Sequence, residues 1–135
     1  MYMNILVPVA ADHDKHTGKA LNVARALAGE GAKITVLTVV EQMPGYIAAQ
    51  LPEGHVEKMR EDLKAGLHED LAGAEDVSVA VIDGHSARSI LDYADSHKVD
   101  CIVMSSHRPD FSDYLLGSTA ARVVRHARCA VHVMR

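Results

Sequence analysis

The sequence predicts an α/β protein with five parallel strands in the order 3-2-1-4-5, doubly wound, with helices on both faces. Two observations carry this reading. Five short apolar runs, most of them rich in β-branched residues, alternate with four segments of helical periodicity. A length of 135 residues suits one domain, residues 1–135, with no room for a second. The chosen order uses short right-handed crossovers and sets the two most apolar early strands in the middle.

The elements follow in turn. "NILVPV" (4–9) is short, apolar and β-branched, the first strand. From about Thr17 to Ala28, residues Ala20, Leu21, Ala24, Leu27 and Ala28 share one helical face, and Gly29 and Gly31 supply the stop. "KITVLTVV" (33–40) is the second strand. The segment 41–52, "EQMPGYIAAQLP", holds two prolines and a glycine and reads as a loop long enough to be a lid. In 53–73, Val56, Met59, Leu63, Leu67 and Leu71 form an apolar stripe. Glu57, Lys58, Arg60, Glu61, Asp62 and Lys64 make the wet side of that helix, and Met59 reads as core.

"VSVAVID" (77–83) alternates Val77, Val79 and Val81 with smaller or more polar residues. "SARSILDYADSH" (86–97) is a helix with Ser86 as its N-cap and Ile90, Leu91 and Ala94 inside. "DCIVMS" (100–105) is the fourth strand, "STAARVVRHA" (118–127) the fourth helix and "CAVHVM" (129–134) the last strand.

Composition removes several function classes. At 48% hydrophobic and 24% charged the chain falls in the soluble globular class. Net charge is −4 and the 14 Lys and Arg are dispersed, which argues against a nucleic-acid surface. Few aromatics, with no Trp, disfavour base-stacking nucleic-acid modules. No basic segment precedes an apolar run at the amino end, and no apolar stretch approaches ~18 residues, so neither a signal peptide nor a membrane span is expected. Cys101 and Cys129 sit at strands, and two buried thiols suit a cytoplasmic location.

In an open parallel sheet, ligands bind beyond the carboxyl ends of the strands, where the order reverses. Here that point lies between the first strand, ending in Pro8, Val9 and Ala10, and the fourth, ending in Met104, Ser105 and Ser106. The stretch "SSHRPDFSDYLLGST" (105–119) leaves the sheet at that crevice and enters the fourth helix at Gly117, Ser118 and Thr119. Helix starts are ready anion sites. Gly-Ser-Thr before an apolar helix is also an ordinary cap; the position at the switch point, with His107 and Arg108 upstream, favours the site.

"ILVPVA" at 5–10, "LLGST" at 115–119 and "CAVHVMR" at 129–135 make the chain resemble the universal stress protein family, and "SSHRP…YLLGS…VVRHA" resembles its short-loop bacterial branch. The likeness spans the order of all nine elements. It implies an adenine-nucleotide alpha-hydrolase-like fold, a cytoplasmic homodimer and a stress-related regulatory role. It also implies binding of ATP or another adenine nucleotide, with or without Mg. Nucleotide-binding members commonly carry Gly-x-x-Gly, about nine residues, then Gly-Ser or Gly-Thr. Here Ser105 and Arg108 stand at the first two glycine positions, and the spacing to Gly117 is one residue shorter. Arg108 has charged donors for phosphate. Ala10 stands where the family leads one to expect an aspartate against the adenosine, while Val39 keeps the apolar contact beneath the adenine. The expected nucleotide site is therefore Pro8, Val9, Ala10, Val39, Met104, Ser105, His107, Arg108, Gly117, Ser118 and Thr119. The alternative is a nucleotide-free homodimeric interaction protein of the same fold.

Other constellations are weaker. Asp12, His13, Asp14 and His16 resemble metal ligands but read as solvated or capping residues, so no metal is expected. Ser106 and His107 are adjacent with no orienting carboxylate, and Asp110 and Asp113 read as turn residues, so no catalytic set is expected. A phosphorelay receiver would use Asp12, Asp14 and Asp83, yet no lysine follows the last strand. An adenylating enzyme would need a Ser-Gly-Gly-type loop after the first strand, and "AADHDKHTG" is not one. The last strand is an apolar edge without proline, so a two-fold homodimer through Val131 and Val133 is expected.

Overall fold

The structure is a computed structural model that describes residues 1–10, 17–41, 44–71, 74–106 and 116–135. Its elements run β1 (Tyr2–Pro8), α1 (Thr17–Leu27), β2 (Ala28–Val40), α2 (Gly45–Ala48), α3 (His55–Asp70), β3 (Val77–Asp83), α4 (Ser86–Ser96), β4 (Cys101–Ser105), α5 (Ser118–His126) and β5 (Ala130–Met134). The five strands form one parallel sheet ordered β3-β2-β1-β4-β5, as expected.

Each strand is apolar on both faces because helices cover both. On one side Ile5, Val7, Ile34, Val36, Cys101 and Val103 pack against Ala20, Leu21 and Ala24 of α1, with Leu71 beside them. On the other, Leu6, Leu37, Ile102 and Met104 pack against Ile90 and Ala94 of α4 and Ala120 and Val123 of α5. The alternation along each strand thus feeds two cores at once.

Four expectations are corrected. The second strand begins at Ala28, directly after α1, instead of at residue 33. Ala28 pairs with Tyr2 and Lys33 with Asn4, so five steps on β2 oppose two on β1. The surplus residues bulge, and Gly31 takes the positive φ of 75° that the bulge needs. Ala28 therefore belongs to the sheet and not to the helical face. Secondly, the 41–52 segment is not all loop: α2 is a short helix within it, preceded by Pro44.

Thirdly, Ser86 is not the N-cap of α4. His85 holds that position with no side-chain capping bond, and the Ser86 hydroxyl donates to the Glu41 carboxylate at 3.2 Å. Fourthly, the inner stripe of α3 is not core throughout. Leu67 is 2% exposed, but Val56 and Met59 are 36% and 39% exposed. Cys129 also falls just short of β5 and is half-buried, whereas Cys101 is buried.

At the amino end of the sheet, Asp100 ties β1 to β4. Its carboxylate accepts the N–H of Met3 at 2.8 Å and of Asn4 at 3.0 Å, and its own N–H donates to the Asn4 carbonyl at 2.9 Å. The preceding turn is closed by Lys98 at φ 55°, and Asn4 Nδ2 donates to the His97 carbonyl at 2.7 Å. This clasp sets the register from which the opposite, carboxyl end is aligned.

Candidate functional site

The sheet divides at its carboxyl end. The β1–β2 ladder runs up to Pro8 and Leu37, and Val9 still donates to the Leu37 carbonyl at 2.8 Å. The β4–β5 ladder runs up to Ser105 and Met134, and Ser106 donates to the Met134 carbonyl at 2.8 Å. Between β1 and β4, however, pairing among the described residues covers only Ile5 with Cys101 and Leu6 with Ile102. Each central strand thus follows its outer neighbour above that level. The strands part where the order reverses, which is where a doubly wound sheet offers a crevice.

Helix α5 starts at this opening. Ser106 is buried, and its carbonyl accepts the Gly117 N–H at 2.6 Å, seating the helix start against the end of β4. Gly117 is the N-cap with φ −57° and ψ 151°, and no side chain among the described residues caps the helix. That conformation is open to any residue, so the glycine contributes the side chain it lacks rather than backbone freedom. Ala121 donates to the Gly117 carbonyl. The N–H groups of Ser118, Thr119 and Ala120 precede that first intrahelical bond and lie at the positive end of the helix dipole.

Pro8 ends β1, followed by Val9 and Ala10; Met104 and Ser105 end the neighbouring β4; and Gly117 precedes Ser118 and Thr119 at the start of α5. Ala10 and Ser118 are exposed, Met104 is buried, and Pro8, Val9, Ser105, Gly117 and Thr119 are half-buried. Val39 lies one strand further out, near the end of β2, half-buried against the α4–α5 side of the core. His107 and Arg108, with Asp110 and Asp113, lie outside the described residues, as does the Asp12–His16 cluster. Among the described residues no group of three His, Cys, Asp or Glu side chains stands ready for a metal.

Sequence reasoning missed a polar rim at the β3 side of the same end. Arg60 of α3 forms an ion pair with Asp83, the last residue of β3. Glu41 holds Ser86, and Gly84 donates to the Val40 carbonyl at 3.0 Å. Thr38 is buried, and its hydroxyl has no hydrogen-bond partner among the described residues. Nothing in the sequence marked the Arg60–Asp83 pairing, which joins residues 23 positions apart. Cys101, on the amino side, is chemically quiet: burial, with Cys129 and Asp100 nearby, pushes its thiol up to about 11.

A parallel sheet ordered β3-β2-β1-β4-β5, open between β1 and β4 with α5 beginning at the opening, places the chain in the doubly wound α/β class. Within that class it belongs to the universal stress protein family, whose family model matches residues 1–135. It is 28% identical to a universal stress protein of Methanothermobacter thermautotrophicus over 144 aligned positions, covering 100% of this chain and 97% of the relative. Among solved structures it is similar to the universal stress protein UspA from Lactobacillus plantarum, with TM-score 0.69 and 28% identity, covering 99% and 98% of the two chains. It also shares its fold with a universal stress protein solved in complex with cAMP, with TM-score 0.65 and 21% identity, covering 99% and 97%. Among the described residues no helix is long and apolar enough to cross a membrane.

Proposed function

We propose that this chain is a regulatory, non-catalytic universal stress protein of the cytoplasm that binds an adenine nucleotide, ATP or AMP, and acts as a homodimer. The observation that carries the binding is the opening between β1 and β4 with the start of α5 at its mouth. An anionic group there meets backbone donors and the helix dipole together, and Gly117 presents no side chain against it. In this reading Ser105, Gly117, Ser118 and Thr119 receive the phosphates, with His107 and Arg108 alongside and Mg as an optional companion. Pro8, Val9, Ala10, Met104 and Val39 frame the adenosine.

The fold accommodates a cyclic adenine nucleotide in one relative, and universal stress proteins are generally regulatory. Both support the reading. Ala10 favours a second one, the nucleotide-free interaction protein, because its methyl group offers no acceptor to a ribose. Mass spectrometry of small molecules released from purified protein separates the two. Co-purified adenine nucleotide in stoichiometric amounts supports binding. Protein that carries none, and takes none up from millimolar ATP, leaves the nucleotide-free reading.

A further inference from the structure

β3 is the edge of the sheet opposite β5, and in the order β3-β2-β1-β4-β5 it pairs with β2 alone. The pairing runs without a shift from Val77, opposite Ile34, to Asp83, opposite Val40. Successive backbone N–H groups along a strand point to alternate sides. Gly84 donates to the Val40 carbonyl of β2 at 3.0 Å, so Ile82, Ala80 and Ser78 turn the same way, towards β2. Val77, Val79, Val81 and Asp83 therefore face outward. The Ala74 carbonyl accepts the Val77 N–H at 3.2 Å, whereas the outward N–H groups of Val79, Val81 and Asp83 meet no partner among the described residues.

Edges of this kind are normally blunted by lysine, proline or a bulge. From Val77 to Ile82 there is no charged residue and no proline, and the pairing has no bulge. The carboxylates at its two ends are held by helices, Asp76 by Arg25 of α1 and Asp83 by Arg60 of α3. We propose that the β3 edge is a docking site for another protein, which adds an extended segment to the sheet there. The surroundings fix the chemistry of that segment. α3 packs against β3, and residues 53–83, which hold both elements, contain nine Asp or Glu against three Lys or Arg. Glu75, just before the strand, and Glu57, one turn of α3 before Arg60, are exposed. The partner segment is accordingly apolar and β-branched over about five residues, with Lys or Arg at both ends. A second copy offering its own β3 would set like charges together, and the homodimer proposed above engages β5 instead.

The test uses the whole chain and a synthetic peptide of about eight residues, alternating valine and threonine between terminal lysines. A control peptide carries glutamates in place of the lysines. Amide NMR of the nitrogen-15-labelled protein follows both titrations. The lysine peptide should shift the Val79 and Val81 amides and slow their hydrogen exchange. Those of Ser78 and Ala80, already turned to β2, should change little. The glutamate peptide should bind at least about tenfold more weakly. Val81→Pro removes an outward N–H without touching the β2 ladder and should weaken the lysine peptide by a similar factor. Ser78→Lys, at an exposed position that tolerates a long side chain, sets a positive charge on the same edge and should weaken it likewise.

A lysine peptide that leaves the Val79 and Val81 amides unchanged overturns the proposal, whether it binds elsewhere or not at all. A glutamate peptide that binds as tightly also overturns it, because the acidic surroundings would then select nothing. So does unchanged affinity in both variants. Self-association of the free chain that Ser78→Lys abolishes overturns it as well, since the occupant of the edge would then be a second copy.

Discussion

The carbonyl of Ser106 accepts the Gly117 N–H at 2.6 Å, joining the residue that leaves β4 to the residue that caps α5. Ser106 is buried, so its carbonyl has little access to water as a substitute. Proline fits the φ of −57° at position 117 but has no N–H to donate. Gly117→Pro should therefore cost about 1 kcal/mol, the ordinary worth of the hydrogen bond it removes. Gly117→Ala keeps the donor and should stay within about 0.5 kcal/mol of wild type. Urea denaturation of both variants checks this, and equal losses would contradict it.

Asp100 makes two backbone bonds through one side chain, to Met3 and Asn4. Removing the carboxylate leaves both N–H groups at the start of β1 to find water. Asp100→Ala should destabilise by about 2–3 kcal/mol, at the low end for two charge-assisted bonds because the site is partly wet. Asp100→Asn retains one acceptor oxygen and should lose about half as much. Chemical denaturation at neutral pH measures both. Losses below about 0.5 kcal/mol would show that the clasp is not needed for the register.

Arg25 and Asp76 link the last turn of α1 to the residue before β3, with Nε and Nη2 donating to the two carboxylate oxygens at 3.0 and 3.1 Å. The Arg25 hydrogen bonds hold the Asp76 carboxyl below its usual 3.8. Both side chains are more than a third exposed, so the pair is worth below about 1 kcal/mol. A carboxylate depressed by folding stabilises above its unfolded pKa, and that contribution disappears as pH falls through the folded one. The stability difference between wild type and Asp76→Asn should thus be flat from about pH 8 to about pH 5 and shrink as acidification protonates the Asp76 carboxylate. A difference that grows on acidification would contradict this sign.

β5 is an edge strand, and the proposed homodimer covers it. Val131 is partly committed to the core on the α4–α5 side, so Val133 is the cleaner position to disturb. Val133→Lys places a charge on the edge, a device that blocks strand pairing. Wild type should sediment as a dimer at micromolar concentration and Val133→Lys as a monomer. A wild type that sediments as a monomer would rule the homodimer out.

Strand order and both cores were legible because the strands are short apolar runs and each helix carries its own period. The 77–83 strand was bounded correctly by its alternation. What could not be read depends on relative length and on distant partners. Periodicity assigned Val56 and Met59 to the inner face of α3 but carried no information on where β3 stops beneath them. Ser86 has the residue type of a cap, yet a carboxylate 45 positions away takes its hydroxyl. The surplus residues before Lys33 looked like a stop for α1 because a bulge and a loop use the same glycines. At the candidate site, strand order put the ends of the first and fourth strands, Pro8 to Ala10 and Met104 to Ser106, beside one another, and the start of the fourth helix added Gly117. The parting of β1 from β4 needed the ladders themselves.

In the proposed function, the opening beside Gly117 holds the phosphates of an adenine nucleotide while Ala10 leaves one adenosine contact unmade. Each charge-assisted bond a carboxylate would add is worth ~1.5–3 kcal/mol, roughly ten- to a hundredfold in affinity. The decisive measurement is calorimetric titration with ATP of wild type, Ala10→Asp and Gly117→Val. Wild type should bind weakly, and Ala10→Asp should bind at least about tenfold more tightly. Gly117→Val should lose binding, because its side chain would stand in the path of the phosphates. No heat from wild type, and none restored by Ala10→Asp, would contradict this and leave the Ser106–Gly117 bond as a structural seam without a ligand.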